Sequence, residues 1–351
     1  WALEDAAQSV AVYRREFAHQ LVHGSAWWNF DMAGGWYSCP ELLEEFKLQS
    51  RIADQARDWD MSSVAEVTGV VSGISPAYHR HAREQDVVGL EWANLRCDRS
   101  TENLYRAGFP VDWWMTEDLG REALRRYKVL YFHNAEYLTP QEREWVESLK
   151  GEGRTLIFLS LAGAVSPHGL SAESASSLTG MHMRLCHDRQ PLWVDLTDYD
   201  DKLTLDLGAP LAVGTGALVS PRLEVDDPEA RILGQWRTTG QPGAAEKQFA
   251  DWRSIYFAAP PNHAALFRAI ARTAGCHIWT EKDRVVFANR SLLAVHLTAS
   301  SELTPLGLPE PMTLTDLITG EVVARQVTRF TPPDTWWDTT LLYHLQRGAE
   351  V

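Results

Sequence analysis

The segment that decides the fold is KVLYFHNAEYLTPQEREWVESLKGEGRTLIFLS, residues 128–160. It begins with a short, nearly continuous apolar run, and TLIFLS (residues 155–160) repeats that pattern. Such runs are typical of strands buried on both faces of a sheet. Between them, Thr139 can cap a helix, Pro140 suits the first turn and Glu142 completes a capping box. Strand, helix and strand in this order predict a parallel α/β sheet.

The same alternation continues on both sides of this segment. VAEVTGVVS (64–72) has the composition of a buried strand, and VDWWMTED (111–118) that of a strand with its exit loop. Further on, SIYFAA (254–259) predicts another strand, and HAALFRAIARTAG (263–275) has the apolar spacing of a helix. We therefore predict a doubly wound, mostly parallel sheet over residues 62–281.

The N-terminal region has a different organisation. Residues 4–22 have apolar positions at helical spacing, and Gly24 ends this helix. SAWWNFDM (25–32) predicts a short strand, and a second helix follows over residues 40–59. In parallel α/β architectures the functional loop follows the C-terminal end of the strand, which places it here at residues 31–39.

The spacing of apolar residues changes in the C-terminal region, from helical spacing to alternation. Beyond Asp283 the runs VVFANR, LLAVHLT, MTLTDL, EVVARQVTRF and TLLYHL alternate with period two between turn residues. Short alternating runs of this kind are typical of antiparallel strands. They predict a small antiparallel β-sandwich over residues 282–351.

Composition excludes several partners. The formal net charge of -14 would repel the phosphates of nucleic acid and of anionic membranes. The cysteines (Cys39, Cys97, Cys186 and Cys276) are scattered, so we expect free thiols and neither a metal site nor a cofactor. No stretch approaches the roughly 18 continuous apolar residues of a membrane span. We expect a soluble, cytoplasmic protein.

Tryptophan is unusually frequent, with 15 residues against 10 tyrosines and 11 phenylalanines. Doublets occur at Trp27-Trp28, Trp113-Trp114 and Trp336-Trp337. Indole faces can stack on sugar rings, but large aromatic cores use the same residue. Composition alone leaves both uses open.

Three stretches resemble a known family: AHQLVHGSAWWNFDMAGGWY (18–37), the block from LYRAGF to TLIFLS (104–160), and DWRSIYFAAPPNHAALFRAIARTAG (251–275). Together they resemble enzymes of glycoside hydrolase family forty-two, the beta-galactosidase type. The resemblance implies a C-terminal part of such an enzyme. Residues 1–61 would then be the last helix, strand and helix of a (β/α)₈ catalytic barrel. Residues 62–281 would be the beta-galactosidase trimerisation domain, which has a flavodoxin-like, class I glutamine amidotransferase-like fold, before a C-terminal β-domain.

The resemblance also implies where the chemistry lies. In these retaining enzymes the two catalytic carboxylates stand at the ends of the fourth and seventh barrel strands, so we expect no catalytic residue in this chain. The eighth-strand end carries the expected substrate contacts, Trp27, Trp28, Asp31 and Trp36. Members of the family carry a Glu and a nearby His that hold galactose on this loop, and the loop here has neither. Galactose specificity therefore does not follow.

One other function stays open, and two more are disfavoured. The chain could be a sugar-binding or oligomer-forming protein with an amidotransferase-like fold and no activity. Amidotransferase chemistry itself is disfavoured because LAGAVS, after TLIFLS, has no nucleophile-elbow cysteine. His133 and His168 are accordingly expected to be structural. A flavodoxin-like cofactor protein is disfavoured because no glycine-rich phosphate loop follows VAEVTGVVS.

Family resemblance implies a homotrimer assembled through residues 62–281. We predict that the Trp113-Trp114 doublet forms an exposed turn that anchors this contact, because aromatic residues are enriched in interface cores. Burial in the domain core is the competing interpretation. The expected partners are a carbohydrate substrate and two further copies of the chain, with no nucleic acid and no membrane.

Overall fold

The computed structural model describes residues 5–31, 34–35, 37–78, 99–196, 211–297, 304–332 and 339–348. The chain divides into two compact units. The first unit contains residues 1–65, 108–110 and 278–351, and the second contains 66–107 and 111–277. The N-terminal helices and the C-terminal strands therefore belong to one unit.

The described α-helices are α1 (Ala6–Val22), α2 (Pro40–Gln55), α3 (Thr101–Tyr105), α4 (Pro140–Leu149), α5 (Ala172–Thr179) and α6 (Ala264–Thr273). Short 3-10 helices lie at Ala56–Asp58, Ser75–Tyr78, Thr116–Asp118 and Glu122–Arg126. The strands of the second unit are β1 (Val67–Val71), β2 (Val111–Met115), β3 (Val129–Phe132), β4 (Arg154–Leu159), β5 (Val165–Ser166), β6 (Gly169–Leu170), β7 (Met183–Cys186), β8 (Gln190–Leu196), β9 (Leu211–Val219), β10 (Arg222–Val225), β11 (Arg231–Trp236), β12 (Pro242–Gln248) and β13 (Trp252–Phe257). Those of the first unit are β14 (Val286–Ala288), β15 (Leu292–Leu297), β16 (Leu306–Asp316), β17 (Val322–Phe330) and β18 (Thr339–Arg347). No described helix is both long and apolar enough to cross a membrane.

A large mixed sheet forms the second unit, in the order β2-β1-β3-β4-β13-β12-β11-β8-β9. The strands from β2 to β13 run parallel, as the sequence predicts, and those from β13 to β9 pair antiparallel. Antiparallel neighbours can be joined by short turns and need no crossover helix. Accordingly, no helix lies between β11 and β13. The sheet is therefore α/β at one end and antiparallel at the other.

The middle of this sheet is buried on both faces. Every residue of β3 and of β4 is buried, and the rings of Phe132 and Phe158 stack with centroids 5.1 Å apart. Helix α4 starts as predicted. Glu142 N donates to Thr139 Oγ1 at 3.2 Å, and Thr139 N donates to Glu142 Oε2 at 2.6 Å. The observed capping box confirms the helix start that the sequence predicted at Thr139 and Pro140.

The first unit joins α1 and α2 to an antiparallel sheet of order β14-β15-β18-β16-β17. The small antiparallel sheet is confirmed. In the described residues its strands form one hydrogen-bonded sheet, and α1 packs against β15 and β18 where the sandwich prediction placed a second layer of strands. The shared core consists of Phe17, Ala18, Val22, Ile52, Leu292, Ala294 and Leu342.

The predicted strand at residues 25–32 is not observed, because residues 25–31 are irregular. A strand needs hydrogen bonds from a neighbouring strand, and no described strand pairs with this stretch. Of its apolar side chains, Trp27 packs against the core that includes α1 and α2, whereas Trp28 and Phe30 are exposed.

Candidate functional site

The end of α1 sets the direction of the loop that follows. Gly24 has a left-handed backbone with φ 63°. Gly24 N donates to Leu21 O at 3.1 Å, and Ser25 N donates to Gln20 O at 2.9 Å. This pair of bonds is a Schellman motif, which glycine allows because it has no Cβ. The chain then leaves the helix into residues 25–31.

An aromatic cluster holds this loop between the two helices. The ring of Tyr13, on α1, packs edge-on against Trp27 at 6.5 Å, Tyr37 at 5.8 Å and Phe46 at 5.2 Å. Tyr37 Oη also donates to Phe30 O at 3.1 Å. Edge-to-face contacts of this kind stabilise by about 0.5–1.5 kcal/mol each beyond burial. The aromatic cluster therefore fixes both ends of the loop.

The sequence did not single out Tyr13 or Phe46 as site residues. Tyr13 belongs to the apolar stripe of α1, which predicts only helix packing. Burial, its hydrogen bond with Tyr37 and the nearby Asp31 carboxylate raise the pKa of Tyr13 to about 12. Its hydroxyl is therefore protonated and neutral at physiological pH.

Among the predicted contact residues, Trp28 is the most accessible, with 69% of its surface exposed. Its ring lies edge-on to Phe30, 5.1 Å away, and Phe30 is 55% exposed. Asp31 Oδ1 accepts a hydrogen bond from Gly34 N at 2.7 Å, which closes the turn after the loop. Trp36 lies outside the described residues.

Trp27 points the other way. It packs against the core shared by α1, α2 and the C-terminal sheet. Its Nε1 and the Oδ1 of Asn29 are buried without a hydrogen-bond partner among the described residues. A buried polar atom left unpaired costs about 1–3 kcal/mol.

The carboxylates of α2, the helix that follows the loop, have partners of their own. The spacing of Glu41, Glu44 and Glu45 along α2 predicts that all three face solvent, but Glu45 is only 5% exposed. Arg14 binds Glu45 through both carboxylate oxygens, at 3.1 Å and 2.5 Å. The bidentate pair compensates the cost of burying the carboxylate and joins α1 to α2.

The second unit contains the predicted interface anchor, the Trp113-Trp114 doublet. Trp113 and Trp114 lie in β2, the edge strand of the mixed sheet, and both are half-buried. The predicted exposed turn is therefore wrong. Trp114 Nε1 donates to Tyr127 Oη at 2.9 Å. The ring of Trp113 lies over Gly69 of β1, where a Cβ would come within 2.3 Å of it.

A parallel sheet binds ligands where the strand order reverses, which here is between β1 and β3. Asn134 occupies this position. Its Oδ1 accepts from Ser72 N at 2.7 Å, and its Nδ2 donates to Ser72 O at 2.9 Å. The backbone groups that would hold a phosphate are thus engaged by a side chain. No group of three metal-ligating side chains occurs among the described residues.

The sequence did not predict one backbone feature of the second unit. Ser160, directly after β4, has a left-handed backbone with φ 55°, a conformation that costs a non-glycine residue about 1–2 kcal/mol. Tyr256 Oη donates to its carbonyl at 2.7 Å. His133 packs edge-on against Trp113 and Tyr131, and His168 is exposed on the β5–β6 turn.

No protein-family model and no curated protein matches the chain. Solved structures of beta-galactosidases do match it. The enzyme from Bacillus circulans sp. alkalophilus is 17% identical with a TM-score of 0.62, over 87% of this chain and 44% of that one. A catalytic mutant of Gan42B, a GH42 beta-galactosidase from G. stearothermophilus, is 13% identical with a TM-score of 0.63, over 98% of this chain and 51% of that one. The enzyme from Rahnella sp. R3 is 12% identical with a TM-score of 0.58, over 87% and 44%.

The chain therefore has a glycoside hydrolase-like fold, the fold of part of a GH42 beta-galactosidase, and the resemblance seen in the sequence is confirmed. It spans about half the length of these structures. Most of this chain aligns with about half of each of those chains. This is the coverage expected of a C-terminal portion. At these identities the likeness concerns the fold.

Proposed function

We propose that this chain is the C-terminal portion of a retaining glycoside hydrolase of the beta-galactosidase type. Residues 1–61 supply sugar contacts from the loop at residues 25–31, at the position that corresponds by resemblance to the end of the eighth barrel strand, and the catalytic carboxylates lie outside this chain. Residues 62–281 form an amidotransferase-like trimerisation domain, and residues 282–351 a C-terminal β-domain. A cytoplasmic location agrees with the free thiols of Cys39, Cys186 and Cys276.

The observation that carries this proposal is the exposed indole of Trp28 on a loop held by the aromatic cluster. Stacking a sugar ring on an exposed aromatic side chain costs little conformational entropy when the backbone that carries the side chain is already ordered. Asp31, at the end of the same loop, can accept hydrogen bonds from sugar hydroxyls. The beta-galactosidase fold supports the assignment of Trp28 and Asp31 to substrate binding.

Sugar binding tests the proposal directly. We expect saturation-transfer NMR with methyl β-galactoside, methyl α-arabinoside and methyl β-glucoside to show transfer from the chain to at least one of them. Trp28→Ala should abolish the transfer because the stacking face is removed. Tyr78→Ala, an exposed aromatic of the second unit, is the matched control and should leave it unchanged. Equal transfer in wild type and Trp28→Ala would refute the proposed contact.

We place the trimer contact at the β2 edge of the mixed sheet. An edge strand presents unpaired backbone groups and is a natural site for association. Met115, at the end of β2, is 41% exposed, next to the half-buried tryptophan doublet. Family resemblance supports three copies.

Sedimentation velocity tests this contact. We expect a trimer at tens of micromolar, and Met115→Asp should shift it toward monomer because a charge is buried at the interface. Leu218→Asp is the matched control, since Leu218 is 46% exposed on β9 at the opposite edge of the sheet. A monomeric wild type, or equal dissociation in both variants, would contradict the assignment.

A further inference from the structure

The last turn of α1 shows how the loop at residues 25–31 is positioned. The last four carbonyls of an α-helix have no partner within the helix. Local groups satisfy three of them, because His23 N binds His19 O at 3.3 Å while the Schellman motif takes Gln20 O and Leu21 O. The fourth carbonyl, Val22 O, is the last one of the helix.

A residue far along the chain satisfies Val22 O. Asn289, in the turn between β14 and β15, donates from Nδ2 to Val22 O at 2.8 Å. Asn289 is 2% exposed, so this bond is shielded from water. Its Oδ1 accepts from Ser291 N at 2.9 Å and Leu292 N at 2.8 Å, which holds the amide in one orientation.

The same turn also holds the segment that follows α2. Asn289 forms an isolated bridge with Ser63, and Arg290 N donates to Ser62 O at 3.0 Å. Asn289 Nδ2 also lies 3.6 Å from Met61 Sδ. The buried side chain of Asn289 therefore contacts both the end of α1, which precedes the loop at residues 25–31, and the chain beyond α2, which follows it.

We propose that Asn289 is a positioning residue for the sugar-binding loop: its amide caps α1 from the C-terminal sheet and sets where residues 25–31 begin. The functional meaning rests on the sugar-binding role proposed above. The C-terminal β-domain then contributes to substrate binding indirectly, through the geometry of this loop.

Asn289→Asp separates the two halves of the side chain. The carboxylate keeps an acceptor for Ser291 N and Leu292 N but loses the donor to Val22 O and places a negative charge against that carbonyl. Hydrogen exchange read by mass spectrometry should show amides of residues 24–31 exchanging about tenfold faster. The strands β15 and β18 should keep their protection. Saturation transfer from the chain to the methyl glycoside that the wild type binds should weaken in the same variant.

The matched control is Asn103→Asp in the second unit. Asn103 also donates its amide to a backbone carbonyl, Arg99 O, at 2.8 Å, and accepts from Ala264 N at 3.2 Å. This variant should leave exchange at residues 24–31 unchanged. If Asn289→Asp does not fold, Asn289→Ser, whose hydroxyl is too short to reach Val22, replaces it.

The outcomes separate the two proposals. Faster exchange confined to residues 24–31 supports the positioning role. Unchanged exchange there, or uniform acceleration through β15 and β18, overturns it, because the latter is the response of a purely structural residue. If the wild type binds no sugar while the loop still responds locally, the proposed function fails and the cap on α1 stands.

Discussion

At the residue scale, Gly69 is under the tightest steric constraint in the parallel part of the mixed sheet. It pairs with Trp113 in the β1–β2 register, and the indole occupies the space of its missing side chain. Gly69→Ala should lower the free energy of unfolding by about 1–3 kcal/mol through overpacking. Chemical denaturation measures this.

The control for that substitution is Gly216→Ala in β9. A Cβ there meets nothing closer than Trp193 Nε1 at 3.9 Å, and no positive φ opposes it. Its stability should be unchanged or slightly higher, because alanine loses less backbone entropy than glycine. Equal losses in both variants would mean that the contact of Trp113 with Gly69 is not the cause.

Two histidines of the first unit make its stability sensitive to acid. Burial lowers the pKa of His344, which stacks on Trp59 at 3.9 Å, and burial with the neighbouring His23 lowers the pKa of His19. A folded-state pKa below the unfolded value means that the unfolded state binds more protons in acid. The stability that these neutral histidines contribute to the folded state is complete above the unfolded pKa of about 6.5, and it is lost as the pH falls through the folded pKa.

Thermal melts at pH 7.5 and pH 5.5 test this. His344→Phe should keep the stack on Trp59 and narrow the difference between the two melting temperatures. His168→Phe alters an exposed histidine of the second unit and should leave the difference as in wild type. A wild-type melting temperature that does not fall toward pH 5.5 would argue against buried neutral histidines.

At the element scale, the N-terminal helices and the C-terminal sheet share one core. Leu342 of β18 lies with Phe17 and Ile52 in that core. Leu342→Ala should lower the free energy of unfolding by about 2–5 kcal/mol and should also speed hydrogen exchange in α1. Leu156→Ala, equally buried in β4, should cost a similar amount without changing exchange in α1.

Unchanged protection of α1 in Leu342→Ala would mean that the helices and the sheet unfold independently. That outcome would assign α1 and α2 to a separate folding unit, as the sequence boundaries at residues 61 and 282 suggest.

At the scale of the whole molecule, we predict that the chain by itself hydrolyses no glycoside. A retaining glycosidase needs two carboxyl groups about 5–5.5 Å apart, one of them kept protonated near neutral pH. Glu45 is committed to Arg14, Glu41 accepts from Cys39 Sγ at 2.8 Å, and Glu44 pairs with Lys47 at 2.6 Å. Each of these carboxylates already has a partner of its own, and we predict that none of them forms the required pair with Asp31.

A panel of nitrophenyl β-galactoside, α-arabinoside, β-glucoside and β-fucoside should give no rate above buffer. Turnover of any of them that Asp31→Asn abolished would show that a complete active site lies within these 351 residues. Sugar binding without turnover is the result that the proposed function requires.

The sequence by itself determined the features whose causes are local. The capping box at Thr139, the glycine stop at Gly24 and the parallel strands around residues 128–160 were all predictable, because each signal lies within a few residues of its effect. The resemblance that implied the beta-galactosidase fold rests on those same stretches.

Only the tertiary structure decided the features whose partners are distant. Glu45 has the spacing of a solvent-facing residue but is buried, because Arg14 lies opposite on another helix. The strand at the Trp113-Trp114 doublet was predictable, but the half-burial of Trp113 depends on Gly69 of the neighbouring strand, which leaves room for its ring. Asn289 caps a helix 267 residues earlier in the chain, a pairing that no periodicity encodes. Hydrogen bonds and ion pairs between remote residues depend on packing, which the local pattern does not specify.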